Sequence, residues 1–226
     1  MTVAEDEGRR KIVVDLIPYL VTTYVRAQSR LGPAALLSRA IEGYGEEGRE
    51  ISGHRESLRA ALRGVEDLNL RDEGDGFAFE LDRRTLLDIV KVHLVKEYIS
   101  EGSHGSSMTF DPPGEGPRFD AVLRLPMRSV LVSLLSGELT TDVESQYLES
   151  AVSLAPSQVW VLTLDDDNID SRLNPVFRSE NKVLFGRLRI VGLSRVLEAY
   201  LGGGYEVKVS IEGERFKVGL TGRRSA

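Results

Sequence analysis

The stretch from Phe119 to Asp167 most constrains what this chain can fold into. It contains two apolar segments, FDAVLRL and SVLVSLLSG, then the amphipathic segment TTDVESQYLESAVSLA and a third apolar segment, QVWVLTLDDD. Apolar runs of this length predict buried strands, and the amphipathic spacing predicts a helix between the second and the third. The order predicts the strand–helix–strand crossover of an α/β core.

The segments around this stretch extend the predicted core in both directions. A wide apolar stripe predicts a helix over 83–100, with Asp82 as its N-cap. Further predictions are a strand over 183–191, a helix over 193–201 and a closing β-hairpin formed by 205–211 and 215–220. Residues 82–226 are therefore expected to form a mixed β-sheet core flanked by helices, with the hairpin as its C-terminal part.

The first 81 residues have a different pattern, which predicts a mainly helical region. Apolar spacing indicates three helices: one from Arg9 with its apolar stripe over 12–25, one over 34–41, and one from Ser52 or His54 to Arg63, with Gly64 as the end of the third. Alternation around a Gly/Asp turn then predicts a hairpin between 68–70 and 77–81. Three helices followed by a hairpin resemble winged-helix domains, and the resemblance covers roughly residues 9–81.

The winged-helix resemblance implies that the third helix recognises nucleic acid through Arg55, Arg59 and Arg63, which share one helix face. Two other interpretations remain open. Three arginines on a solvated helix face are ordinary surface residues, and winged helices also bind proteins. The predicted hairpin turn carries Asp72, Glu73 and Asp75, which repel phosphate and favour a protein partner.

Composition narrows the class of protein. The chain has no cysteine, which excludes a disulfide scaffold, a thiolate zinc site and a cysteine nucleophile. Its net charge is −6, so an overall basic footprint is absent, but cations concentrate between 172 and 195. Arg187 and Arg189 alternate along a predicted strand there and are further candidates for nucleic-acid contact.

The N-terminus is too charged for a secretory signal, and the apolar run over 12–25 is too short and interrupted to span a bilayer. We therefore expect a cytoplasmic protein without membrane association. The high charged fraction and the lack of cysteine also suit a thermophile.

Several kinds of catalytic or cofactor site lack their sequence signals. The run Gly202–Gly204 follows a predicted helix instead of opening one, so it is a cap and turn and not a phosphate-binding loop. His54, His93 and His104 are far apart, without metal-ligand spacing, and His93 is expected to be a half-buried histidine of the long helix. No cofactor and no metal are predicted.

An acidic run, Asp165 to Asp167, follows the third apolar strand. Acidic residues at the carboxyl end of such a strand are where α/β folds place Mg²⁺-binding or catalytic groups. One hypothesis is therefore a metal-dependent hydrolase that uses Asp120 with Asp165. The alternative is a solvated acidic loop that ends a strand.

The element order from 83 to 165 resembles the core of PD-(D/E)XK, or restriction-endonuclease-like, nucleases. In that family an Asp at one strand and a Glu-x-Lys on the next hold Mg²⁺ and activate water. Asp120 in FDA matches the Asp, and aligning Ser136-Gly137 with the family's pattern places Ser133 at the Glu and Leu135 at the Lys. Glu97 matches an acidic residue on the family's first helix. Gln146 matches a Gln on the helix that follows the Glu-x-Lys strand.

Ser133 is a poor ligand for a hard cation and Leu135 carries no charge, so the resemblance implies a degenerate core that has lost catalysis. An unrelated mixed sheet, with Asp120 at a strand start and Gln146 on a helix surface, is the alternative. The leading hypothesis is a non-catalytic nucleic-acid-processing component that binds nucleic acid or scaffolds a partner. The second is a protein-interaction module or homodimer without nucleic acid.

Overall fold

The computed structural model describes most of the chain, namely residues 3–28, 30–74, 76–98, 107–110, 119–125, 128–135, 142, 145–147, 149, 157–164 and 188–222. These residues form a mixed α/β protein with two sheets and a helical N-terminal region, which confirms the predicted fold class. The chain divides into two compact units. The first unit contains residues 1–89 and 197–226, and the second contains residues 90–196.

The first unit begins with four helices, one more than the sequence pattern predicts. They are α1 (Val3–Ala27), α2 (Pro33–Gly43), α3 (Glu46–Gly53) and α4 (Arg55–Asp67). The buried apolar stripe of α1 includes Leu16, Ile17 and Leu20, whose side chains are inaccessible to solvent. The additional helix α3 occupies part of the Gly-rich segment between the second and third predicted helices.

Helix α4 continues past Gly64, where the sequence predicts its end. A Cβ added at Gly64 would lie 2.0 Å from Cγ2 of Val13 on α1. The glycine is therefore a point of close approach between α1 and α4 and not a helix stop. Tertiary packing here overrides the local preference of glycine for a helix end.

The sheet of the first unit has the strand order β1 (Arg71–Asp72), β2 (Gly76–Leu81), β9 (Arg215–Gly222) and β8 (Tyr205–Glu212), with every pair antiparallel. The first hairpin forms as expected, but its first strand is Arg71–Asp72 instead of 68–70. The C-terminal hairpin β8–β9 does not close the second unit. Phe79 of β2 pairs with Val218 of β9, so the hairpin belongs to the sheet of the N-terminal region.

Two helices cross from one unit to the other along the chain, α5 (Arg83–Tyr98) and α6 (Leu193–Leu201). Asp82 caps α5 as predicted, because its carboxylate accepts hydrogen bonds from the backbone N–H of Thr85 at 2.9 Å and from the Thr85 hydroxyl at 2.7 Å.

The sheet of the second unit has five strands in chain order, β3 (Ser107–Phe110), β4 (Ala121–Leu125), β5 (Arg128–Leu135), β6 (Gln158–Thr163) and β7 (Leu188–Gly192). Strands β3, β4 and β5 are antiparallel, whereas β5, β6 and β7 are parallel. A parallel pair needs a crossover connection, and the helical residues 145–147 lie between β5 and β6 in the chain. The predicted strand–helix–strand crossover is confirmed.

Both faces of this sheet are covered at β5 and β6, since each of these strands contains five consecutive buried residues. One face holds an apolar cluster of Phe119, Leu131, Tyr147, Val159 and Val161. On the other face the Trp160 ring lies edge-on to the ring of His93 from α5, with 6.3 Å between centroids. His93 is half-buried, as the sequence predicts.

Candidate functional site

The positions aligned with a nuclease pattern on the sequence alone lie at the end of β5 and beside the start of β4. Ala121 pairs with Val132, so Asp120 lies next to Ser133 on the neighbouring strand. Alternate residues of a strand share a face, and therefore Leu131, Ser133 and Leu135 all project toward the side that carries Tyr147. The structure therefore places Asp120 beside Ser133 and puts Leu135 on the same face of β5 as Ser133.

The Asp120 carboxylate is held by the main chain of the next strand. Its Oδ2 accepts a hydrogen bond from the backbone N–H of Leu134 at 2.6 Å, and the Asp120 N–H donates to the Val132 carbonyl at 2.9 Å. Asp120 is only 9% exposed. The side chain thus has a structural role, because it supplies an acceptor for a buried backbone donor.

Ser133, at the position aligned with the family's Glu, is 2% exposed and has a partner. Its Oγ lies 2.7 Å from the hydroxyl of Tyr147, which is also buried. The pair satisfies two buried polar atoms beside the apolar cluster. Leu135, at the position aligned with the Lys, is half-buried and packs against the same apolar cluster.

The remaining nuclease-like positions do not join this group within the described residues. Gln146 is exposed, so the helical segment turns Tyr147 and not Gln146 toward the sheet. Glu97 lies in α5, but its side chain falls outside the described residues, as do Asp165, Asp166 and Asp167. Among the described residues no three His, Cys, Asp or Glu side chains are grouped closely enough to hold a metal ion.

Sequence reasoning missed two polar residues on this face of the second sheet. Thr163, at 8% exposure, pairs with Leu135 in the strand register and therefore lies on the same face. Tyr147 stands next to a residue that the resemblance singles out, yet it is the one that turns inward. A serine within the apolar run VLVSLL was the available signal, because a buried hydroxyl requires a nearby partner.

The arginines of α4 form a charged face in the first unit. Arg55, Arg59 and Arg63 are all exposed, while the opposite side of α4 is buried through Ala61, Gly64 and Val65. Within the part of the chain that the structure describes, none of the three arginines forms an ion pair. We call these three residues the α4 arginine face.

Acidic residues of the β1–β2 hairpin are partly neutralised by cations. The Glu73 carboxylate lies 2.6 Å from Nζ of Lys217 on β9, and the hydrogen bond between them raises the pKa of the Lys217 ammonium above its ordinary value of 10.5. Glu80 on β2 pairs with Arg71 and, at 3.3 Å, with Arg215. Glu73 and Glu80 are therefore compensated locally, which lowers their repulsion toward phosphate.

The second group of candidate nucleic-acid contacts is described in part. Arg189 is exposed on β7, an outer strand of the second sheet, where it pairs with Trp160 in the register. Arg187 lies outside the described residues. Within those residues, no helix combines the length and the apolar character needed to cross a bilayer.

Perturbed titrating groups cluster elsewhere in the first unit. Burial raises the pKa of Asp15 above its ordinary 3.8; the Lys11 charge opposes this effect, and the Glu47 charge adds to it. Burial also raises the pKa of Tyr44 and that of Tyr200, whose hydroxyl donates to the Val14 carbonyl. The hydrogen-bonded and buried surroundings of these groups indicate a structural cluster.

Comparison with known proteins does not assign a family. No family model matches the chain, and no curated protein matches it. Among solved structures, the crystal structure of protein VC1899 from Vibrio cholerae is similar at 11% sequence identity, with a TM-score of 0.34. The similarity covers 90% of this chain and 58% of that one, so this chain spans less than two thirds of its neighbour.

Proposed function

We propose that the protein is a non-catalytic nucleic-acid-binding component whose second unit is a degenerate nuclease-like core. The observation that carries the loss of catalysis is the pairing of Ser133 with Tyr147 at 2.7 Å, where an active core needs a carboxylate facing a metal. The adjacent Asp120 carboxylate bonds to a backbone N–H. The strand order, antiparallel from β3 to β5 and parallel from β5 to β7, supports the resemblance.

Nucleic-acid binding is supported by the α4 arginine face. Its members stand four residues apart, so their guanidinium groups extend along one side of the helix over about two turns. Guanidinium groups without an intramolecular partner are available to pair with phosphates. The preceding helices and the β1–β2 hairpin with its third strand β9 are consistent with a winged-helix arrangement in which α4 is the recognition helix.

The test is a salt titration of binding to single-stranded and double-stranded DNA and RNA. We expect binding at low ionic strength that weakens as salt rises, because Lys and Arg release counterions from phosphates. Changing Arg55, Arg59 and Arg63 to Ala is expected to lower the slope of log affinity against log salt by about 3, roughly 1 per phosphate contact.

The matched control removes three exposed arginines elsewhere, Arg26, Arg30 and Arg195, and so changes net charge equally. It should leave the slope nearly unchanged. If the unaltered protein shows no salt-sensitive binding at low ionic strength, the proposal of nucleic-acid binding is wrong. An equal loss in both triple variants would show that net charge, and not the α4 face, governs binding.

A further inference from the structure

Strand β8 lies at an open edge of the sheet in the first unit. Its one strand neighbour among the described residues is β9, and their pairing runs without a bulge from Tyr205 with Gly222 to Glu212 with Arg215. At eight residues, β8 is the longest outer strand that the structure describes, since β1 has two residues, β3 four and β7 five. The strand contains neither proline nor glycine, which would weaken pairing at an edge.

The outward hydrogen-bonding groups of β8 belong to alternate residues. The backbone N–H of Val207 points away from β9, because it donates to Oε1 of Glu198 on α6 at 3.4 Å. Groups on one edge of an antiparallel strand recur at every second residue, so Val209 and Ile211 also direct their N–H and C=O groups outward. Among the described residues, Glu198 therefore covers the first part of this edge and leaves the part around Val209 and Ile211 open.

The side chains of this open part separate into an apolar and a charged side of the strand. Val209 and Ile211 lie on one side, and Ile211 is 37% exposed, which is high for a large apolar residue. Lys208, Ser210 and Glu212 alternate with them on the other side and are all exposed. A cation and an anion thus stand two residues before and two residues after Ser210.

This spacing makes β8 complementary to a second copy of itself. If two copies pair antiparallel about a two-fold axis at Ser210, Lys208 of each copy lies opposite Glu212 of the other. The same register places Val209 opposite Ile211, so their outward N–H and C=O groups meet as backbone hydrogen bonds, and Ile211 loses contact with water. Both sides of the strand therefore match in one register.

Other registers fit less well. A two-fold axis at Lys208 places two lysines opposite each other, and an axis at Val209 places Glu206 opposite Glu212. Like charges directly opposite are destabilising. An axis at Val207 pairs Glu206 with Lys208, but it needs the N–H group that already donates to α6. Registers closer to the turn pair fewer residues of the strand, and a shift by one residue would set apolar side chains against charged ones.

We propose that two copies of this chain form a symmetric dimer by pairing their β8 edges around Ser210. The two four-stranded sheets then become one continuous sheet across the two-fold axis. Pairing is confined to residues 208–212 of each copy, which is a small interface, so the dimer dissociates on dilution. This inference goes beyond nucleic-acid binding and does not depend on it, because the α4 arginine face takes no part in the pairing.

The experiment reverses one charge of each cross-strand pair. Sedimentation equilibrium of the full chain should show a reversible monomer–dimer equilibrium. Lys208→Glu and Glu212→Lys should each weaken the dimer at least about tenfold, because two like-charge pairs replace two opposite-charge pairs. An equal mixture of the two variants should dimerise with an affinity near that of the unaltered protein, since both pairs in the mixed dimer join a carboxylate to an ammonium group.

The matched control reverses charges at exposed residues of α1 and α4, with Arg26→Glu and Glu66→Lys. These variants change net charge by the same amounts, and they should dimerise like the unaltered protein both alone and mixed. Unfolding midpoints of all variants identify any loss of folding, because Glu212 also pairs with Lys217 at 3.5 Å within one chain. Restored association in the mixture further shows that both reversed variants are folded.

Amide hydrogen exchange measures the paired edge directly. The N–H groups of Val209 and Ile211 should exchange more slowly at high protein concentration than at low concentration, whereas that of Val207 should change little. A monomer at every concentration, a dimer that both reversals leave intact, or a mixture no tighter than the single variants would overturn the proposal. So would equal weakening by the control reversals, which would assign association to net charge. Failure here is distinguishable from failure of nucleic-acid binding, since the triple variant of the α4 arginine face leaves β8 unaltered.

Discussion

The hydroxyl of Tyr147 lies 2.7 Å from Oγ of Ser133, and both side chains are buried in the second unit. Each polar atom is the partner that the other needs in a layer that also contains Phe119, Leu131 and Val161. The contact ties the helical residues 145–147 to strand β5. Ser133, which the proposed nuclease resemblance aligns with a metal-binding Glu, is thus part of the protein's packing.

Removing the Tyr147 hydroxyl should therefore lower the free energy of unfolding. We expect Tyr147→Phe to cost about 1–3 kcal/mol, because the buried Ser133 hydroxyl loses its partner. Ser133→Ala should cost a similar amount. Urea unfolding monitored by circular dichroism gives both values.

The double variant decides whether the contact itself carries these costs. With both hydroxyls absent, neither is left unpaired, so the combined loss should be smaller than the sum of the single losses. Gln146→Ala, at the exposed neighbouring residue, should change stability by less than about 0.5 kcal/mol. Strictly additive single losses would contradict the interpretation.

Gly64→Ala should destabilise the first unit, although alanine is the better helix former by about 1 kcal/mol. The added methyl group would lie 2.0 Å from the Val13 side chain, which is β-branched and has few alternative rotamers. Overpacking of this kind costs about 1–3 kcal/mol. A fall in the thermal midpoint measures the net effect.

Two partner variants check that prediction. Gly8→Ala, at an exposed position of α1 with no atom near the added Cβ, should stabilise the protein by about 0.5–1 kcal/mol. Val13→Ala should offset part of the Gly64→Ala cost, since it removes the atom that the new methyl group meets. A stabilising Gly64→Ala would show that α1 and α4 separate easily.

The sequence predicts features that depend on local pattern, but not those that depend on contacts between distant residues. The buried strands β5 and β6 and the Asp82 cap follow from local pattern, and all three are where the pattern places them. Gly64 has the local appearance of a helix stop, and its role depends on Val13, about fifty residues earlier in the chain. A close tertiary contact of this kind leaves no local signal.

The position of the C-terminal hairpin in the sheet also depends on a contact that local sequence does not reveal. The alternation of β8 and β9 predicts a hairpin but not the strand beside it, because any exposed sheet edge accepts an antiparallel neighbour. The observed neighbour of β9 is β2, so the C-terminal hairpin joins the sheet of the N-terminal region. At the candidate site, the strand register places Asp120 beside Ser133, but the sequence pattern could not identify Tyr147 as the partner of Ser133.

Asp15 should make stability depend on pH. Its pKa is raised in the folded protein, mainly by burial, so the folded state binds the proton more tightly than the unfolded chain does. The free energy of unfolding therefore falls as pH rises from about 3.8 through the folded pKa. Above that pKa, the ionised Asp15 lowers the free energy of unfolding by the full amount that corresponds to the pKa difference between the folded and unfolded states.

Asp15→Asn removes this dependence while keeping an oxygen that accepts from Tyr44. The variant should be more stable than the unaltered protein at pH 7, and the difference should shrink toward zero below the ordinary pKa of 3.8. Urea midpoints across that pH range provide the measurement, with Asp72→Asn at an exposed carboxylate as control. A variant less stable at pH 7 would mean that the Lys11 charge outweighs burial.

Asp120 is the residue at which a structural and a catalytic role predict different results. Its carboxylate accepts from the Leu134 N–H at 2.6 Å, so Asp120→Ala should cost about 1.5–3 kcal/mol by leaving that donor without its acceptor. Asp120→Asn retains an acceptor oxygen and should cost less. We expect no cleavage of DNA or RNA with Mg²⁺ or Mn²⁺ by any of the three proteins, while their stabilities rank with Ala lowest. Cleavage by the unaltered protein that disappears equally in both variants would instead assign Asp120 to a metal-dependent active site and restore the hydrolase hypothesis.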